Sequence, residues 1–254
     1  MNRSVLCLAF ILVGCSNVSL DSSKKVIPED SMWKKPKIGL NYRSKKVLDT
    51  KESRRFFVES LDAVSISEVG VDERRDKLVK ISLLCSEKRY SEAKLYSQKM
   101  TSSYLSDPNF WNEIGICYLK QDLPKLALLY LNKSLELNPR YFPSINNIGI
   151  IFIKMGNYQK ALNAFKKASR IGQFATTPKY NLAVLYVKFG ILDKAKMILS
   201  SIPGDIDFKR SSDRVKMFFT EYYHKIGNVK QAKDLFNSIE NPDKLFVRRM
   251  KGRY

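Results

Sequence analysis

Residues 108–141 read PNFWNEIGICYLKQDLPKLALLYLNKSLELNPRY, and residues 142–175 read FPSINNIGIIFIKMGNYQKALNAFKKASRIGQFA. Laid over one another at a shift of 34 residues, Trp111, Gly115, Tyr118 and Ala127 fall on Ile145, Gly149, Phe152 and Ala161. The same shift continues to Lys179, Ala183, Tyr186 and Ala195. From about residue 56 onward the apolar residues fall at helical spacing, so the period marks a repeated helical unit.

This pattern resembles the tetratricopeptide repeat, whose unit sets a large residue, Leu, Gly, Tyr, Ala, Phe, Ala and Pro at fixed offsets. The copy near Pro108 shows Trp111, Ile114, Gly115, Tyr118, Ala127, Leu131, Ser134 and Pro139. The copy near Phe142 shows Ile145, Ile148, Gly149, Phe152, Ala161, Phe165 and Ala168, with Gln173 in place of Pro. The third, near Thr176, keeps Leu182, Ala183, Tyr186, Ala195 and Leu199. Two flanking copies are degenerate. Leu84 and Ala93 are in register, but Ile81 occupies the small-residue site. Phe219, Tyr223, Gly227, Ala232 and Phe236 fit after three extra residues at the turn of Pro203 and Gly204, with Thr220 at the small site. Such ends are expected where terminal repeats meet solvent. The resemblance implies an all-α fold over about residues 74–246: a right-handed superhelix, or α-solenoid, of about five helix-turn-helix repeats.

In such a unit Gly115, Gly149 and Ala183 let the first helix approach the second, and Ala127, Ala161 and Ala195 remove bulk from the facing side. Tyr118, Phe152, Tyr186 and Tyr223 fill the adjoining gap. Gly156 with Asn157, Gly190, and Gly227 with Asn228 suit helix ends, and Asp107 before Pro108 suits a helix start.

In this family certain first-helix positions line a concave binding face. They map onto Asn112, Asn146 and Tyr180; onto Ile116, Ile150 and Val184; onto Leu119, Ile153, Val187 and His224; and onto Lys120, Lys154, Lys188 and Lys225. An apolar ladder flanked by lysines suits a peptide with apolar anchors and acidic flanks. Two plainer readings stand beside it. The lysines end their helices, where the dipole favours a cation, and the apolar rungs are of a kind that packs between helices. Asn112 and Asn146 are poor mid-helix residues whose amides bind peptide backbone.

The N-terminus sets the expected compartment. A short basic stretch, Met1 to Arg3, precedes the apolar run Val5 to Val13, about half the length of roughly 20 residues that a spanning helix needs. The run ends in Leu12, Val13, Gly14 and Cys15, which resembles the lipobox of bacterial lipoproteins. The resemblance implies cleavage before Cys15 and acylation of that residue, an anchor whose several chains hold it firmly. Ser16 follows instead of Asp, which in that class favours the outer membrane. Residues 1–14 are thus expected to be a signal peptide and residues 15–55 a basic flexible tether. Residues 56–107 would hold N-terminal helices with a degenerate repeat, 108–209 three in-register repeats, and 210–254 a degenerate repeat with a basic tail. In the tether, Trp33 beside Lys34 and Lys35 either sits at a lipid interface or packs on the solenoid.

Composition narrows the rest. The chain has 254 residues, 44% hydrophobic and 28% charged, with a net charge of +20. That field attracts polyanions, and for an exported protein these are lipid phosphates, wall polymers or acidic proteins rather than nucleic acid. Once Cys7 is removed and Cys15 lipidated, Cys85 and Cys117 remain and read as small buried hydrophobes rather than a disulfide or metal pair. His224 is the only histidine, so no His pair can bind a metal, and a Ser, His, Asp triad would have to use that residue alone. No phosphate loop, dinucleotide fingerprint or C-x-x-C pair occurs. No cofactor is expected and no enzyme. The expected function is a lipid-anchored adaptor in the bacterial envelope, facing the periplasm. It would bind protein clients on the concave face and assist assembly of a pilus or secretin complex. The alternative is a lipoprotein that binds cell wall or lipopolysaccharide, or regulates peptidoglycan enzymes.

Overall fold

A computed structural model describes residues 73–202, 208 and 211–251; the signal segment, the lipobox with Cys15 and the tether lie outside the described residues. Among the described residues every regular element is a helix. The order is α1 (Glu73–Ser86), α2 (Tyr90–Tyr104), α3 (Pro108–Lys120), α4 (Pro124–Leu137), α5 (Phe142–Lys154), α6 (Tyr158–Ile171), α7 (Thr176–Lys188), α8 (Leu192–Ser200), α9 (Asp213–Lys225), α10 (Val229–Asn237) and α11 (Lys244–Lys251). These make five helix pairs, α1/α2 to α9/α10, stacked as an α-solenoid, with α11 after them.

Local sequence sets the helix ends. The Asp107 carboxylate accepts from the Asn109 N–H while Pro108 occupies the first turn of α3, where a missing N–H costs nothing. Asn157 and Asn228 cap α6 and α10 by accepting from the N–H groups of Lys160 and Gln231. Between first and second helix the chain needs one residue in the left-handed region. Gly190 (φ +73°) and Gly227 (φ +81°) supply it without strain,. In the first two pairs Lys88 (φ 63°) and Asp122 (φ 61°) stand at this turn instead.

The helix pairs close on the small residues. A Cβ on Gly149 would stand 2.5 Å from Phe165 Cε1, and one on Gly115 2.7 Å from Leu131 Cδ2. Both opposing side chains are fully buried, so the approach is a real constraint. Ala93, Ala127, Ala161, Ala195 and Ala232 are buried on the five second helices. Phe152 and Tyr186 are buried, whereas Tyr118 is half-buried and stacks at 5.1 Å on Tyr130, which also stacks on Trp111. One apolar core runs from Leu119 to Met250, and Phe246 and Met250 of α11 close its far end. The basic tail thus begins as an amphipathic helix. A smaller core around Ile81, Phe110 and Cys117 joins the first two pairs.

Cys85 on α1 and Cys117 on α3 are joined by a disulfide, which corrects the expectation of two separate small hydrophobes. Their sequence separation of 32 puts them on neighbouring first helices, with Cα atoms 5.3 Å apart, inside the range that a disulfide spans. In chain-entropy terms closing a loop of that size contributes about 3 to 4 kcal/mol.

Gly149→Ala should overpack the α5/α6 contact by about 1 to 3 kcal/mol. In a thermal melt that lowers the midpoint by about 2 to 4 °C per kcal/mol for a protein of this size. An unchanged midpoint would mean that Phe165 yields and that the small residue is dispensable.

Candidate functional site

The first helices α3, α5, α7 and α9 carry the residues mapped to the concave face, and their surroundings decide what that face can do. Asn112 and Asn146 are fully buried, Ile116, Ile150 and Val184 are buried, and so are Leu119, Ile153 and Val187. Ile150, Val184, Leu119, Ile153 and Val187 all belong to the main core. Of the lysines, Lys120 and Lys225 are exposed, Lys154 is half-buried and Lys188 is buried. His224 is half-buried.

The buried asparagines are linked across repeats. Ser144 Oγ and Asn147 Nδ2 both donate to Asn112 Oδ1, at 3.0 and 2.9 Å. Asn146 Nδ2 donates to Asn147 Oδ1 at 3.2 Å, and Asn181 Nδ2 donates to Asn146 Oδ1 at 2.9 Å. Asn112 Nδ2 reaches Glu113 Oε1, and Ser144 also bonds Ser134. The result is a polar ladder through three consecutive first helices. Each bond satisfies an amide that would otherwise be costly to bury. Tyr141 adds a tie between repeats by donating to Asn109 Oδ1.

Sequence reasoning found Asn112 and Asn146 and missed Asn147, Asn181, Glu113, Ser134 and Ser144. A signal was present, because Glu113, Asn147 and Asn181 recur at the same shift of 34. Three polar residues at one repeat position point to a contact between repeats.

The lysine ladder also ties repeats together. Lys120 Nζ donates to Ser86 Oγ at 2.8 Å and Lys154 pairs with Asp122 at 2.7 Å. Lys188 pairs with Glu221 at 2.9 Å, and Lys225 bonds both Glu221 and the Val187 carbonyl. Burial alone would raise the Glu221 carboxyl. Lys188 and Lys225 outweigh it by charge and hydrogen bonds, and hold the group below the usual carboxylate range.

Tyr180, 7% exposed, packs edge-on against Phe218 with centroids 5.0 Å apart. Its hydroxyl is buried without a hydrogen-bond partner, and burial pushes its ionisation upward. Such an orphaned group in a native fold calls for an explanation. Among the described residues no cluster of His, Cys, Asp and Glu is arranged to hold a metal ion, and no helix is long and apolar enough to cross a membrane.

Comparison with known proteins agrees with this architecture. Residues 108–141 and 142–171 match the family model of the tetratricopeptide repeat. Anaphase-promoting complex subunit 3 of Schizosaccharomyces pombe is 24% identical over 113 residues, which are 44% of this chain and 17% of that protein. The chain therefore matches only a small part of that relative's length. Among solved structures, the Cut9–Hcn1 hetero-tetramer of the anaphase-promoting complex superimposes with a TM-score of 0.55 at 18% identity. That match covers 72% of this chain and 33% of the other. A thermophilic tetratricopeptide-repeat protein of Thermus thermophilus gives 0.54 at 18% identity, covering 70% and 97%. These likenesses show the fold, a tetratricopeptide-type solenoid, and the repeats at 108–141 and 142–171 match the tetratricopeptide model.

Two outcomes follow from the site. Asn146→Ala and Asn181→Ala should each destabilise by about 1 to 3 kcal/mol. Denaturant titrations of the double variant should show a coupling of about 0.5 to 3 kcal/mol, and strict additivity would mean that the ladder is not a unit. Glu221 has a lowered folded value, so its contribution is complete above the ordinary carboxylate value of 4.5 and is lost as pH falls through the folded value. Stability measured against pH should drop in that acid window, and Glu221→Gln should flatten the drop.

Proposed function

We propose that this tetratricopeptide-repeat solenoid is a membrane-anchored adaptor that holds protein clients of a bacterial cell-envelope complex, with a pilus or secretin machine as the first candidate. The observation that carries the reading is the disulfide between Cys85 and Cys117 inside the repeat stack. Structural disulfides form and persist in oxidising compartments, not in a reducing cytosol. That supports export, the destination that Leu12, Val13, Gly14 and Cys15 also imply. A tetratricopeptide scaffold in such a place acts by binding other proteins, and this fold hosts many clients.

The client site is assigned to the line of α7 and α9 beside Tyr180. Its buried hydroxyl lacks a partner, and a peptide backbone group would complete it. Most rungs of the expected groove already bind one another, so a client would engage this end and the rim at Lys154.

The test compares crosslinked pull-downs from native envelopes for wild type, Lys154→Glu with Tyr180→Phe, Asp122→Asn, and Cys15→Ser. The expected result is that the paired substitution loses a defined protein set that Asp122→Asn, which breaks the same tie between repeats, retains, and that Cys15→Ser releases the chain from the membrane fraction. Retention of the same proteins by the paired variant would sink the client site. Membrane attachment of Cys15→Ser would sink the anchor.

A further inference from the structure

The second-helix side of the third and fourth repeats has no role in the ladder or in the client site. Between Tyr158 and Ile202 the chain carries eight cations and one acid, Asp193. Lys188 is the cation of that set buried against Glu221. On α6, a helix without any acid, Lys166, Lys167 and Arg170 lie opposite the buried stripe of Ala161, Phe165 and Ala168. Lys194 and Lys196 follow on α8. None of these five makes an ion pair or a side-chain hydrogen bond among the described residues. This differs from the lysines that end the first helices α3, α5, α7 and α9, each of which is bonded.

Lys166, Arg170 and Lys194 lie close to one another across α6 and α8. Partial burial first, then the charges of Lys194 and Arg170, push the Lys166 amine downward, so α6 and α8 bring their cations within mutual repulsion. Like charges held together without a counterion weaken a fold. Helix α8 and the turn after α6 also expose large apolar groups. Phe174, in the turn after α6, is 83% exposed, and Met197 on α8 is 63% exposed.

We propose that the surface of α6 and α8 that carries Lys166, Lys167, Arg170, Lys194 and Lys196, together with the exposed Phe174 and Met197, docks on a lipid bilayer rich in anionic headgroups. Long cationic side chains reach phosphates while their stems stay against apolar surface, and a protruding aromatic ring inserts at the headgroup boundary. A bilayer supplies both partners at once: negative charge without fixed geometry for the amines and apolar depth for Phe174. An acidic polymer without apolar groups would answer the amines and leave the ring in water. The proposal stands on this face and does not require Cys15 to be lipidated.

The experiment is vesicle co-flotation of the full chain carrying Cys15→Ser, so that no acyl anchor contributes. Phosphatidylglycerol-rich vesicles are compared with phosphatidylcholine vesicles, which report whatever the apolar N-terminus adds. Lys166→Gln, Lys167→Gln and Arg170→Gln together should weaken anionic-vesicle binding by roughly a hundredfold, about fivefold for each cation. Phe174→Ser should weaken it separately. A triple with the same net charge, Lys94→Gln, Lys99→Gln and Lys125→Gln, should bind much as the parent does. Unfolding midpoints keep loss of fold distinguishable from loss of docking. Equal loss in both triples would overturn the proposal in favour of net charge alone. So would vesicle binding that survives in the α6 triple while binding to polyglutamate is lost.

Discussion

The close approach of each first helix to its second is the constraint on which the rest of the structure depends. At Gly149 there is no room for one carbon atom beside Phe165, and Ala161 faces the same interface from α6. Interiors pack at crystal-like density, so a helix pair held at this distance has one register and not several. That register sets where the next pair lies, and therefore which side chains of α3, α5 and α7 meet. The small-residue site holds Ile81 in the first pair and Thr220 in the last. The small-residue requirement is thus relaxed in the first and last of the five described pairs.

With register set, buried polarity becomes tolerable and specific. Asn112, Asn147, Asn146 and Asn181 bond in series inside the stack, and a slip of one residue would leave those amides unsatisfied in an apolar core. The lysines that end the first helices act in the same way. Lys154 reaches Asp122, and Lys188 reaches Glu221, each crossing to a neighbouring repeat. The dipole at a helix end explains why a cation stands there; the neighbouring repeat explains what it holds.

The lysines of the repeats thus include two contrasting groups. The lysines at the first-helix ends are internal ties, while Lys166, Lys167, Lys194 and Lys196 on α6 and α8 make no ion pair among the described residues. Residue type is identical and position alone separates them. The disulfide adds a tie of a different kind, a covalent bond between Cys85 and Cys117 that joins α1 to α3. The proposed export draws on that bond and, separately, on the lipobox resemblance at Cys15.

The sequence by itself determined the repeat. Gly115, Gly149, Ala127 and Ala161 recur at a fixed interval because each repeat must satisfy the same local packing geometry, and turn residues such as Gly190 and Gly227 mark helix ends by backbone preference alone. Those are short-range requirements, written in the residues that meet them. Only the tertiary structure decided which way the first helices' polar groups point, that Asn112 and Asn146 lie inside the stack, and that Cys85 meets Cys117. A residue on one helix carries no local trace of the neighbour it meets some 32 to 35 positions away. That meeting follows from how helix pairs stack, and stacking sums over many contacts that no single stretch of sequence contains.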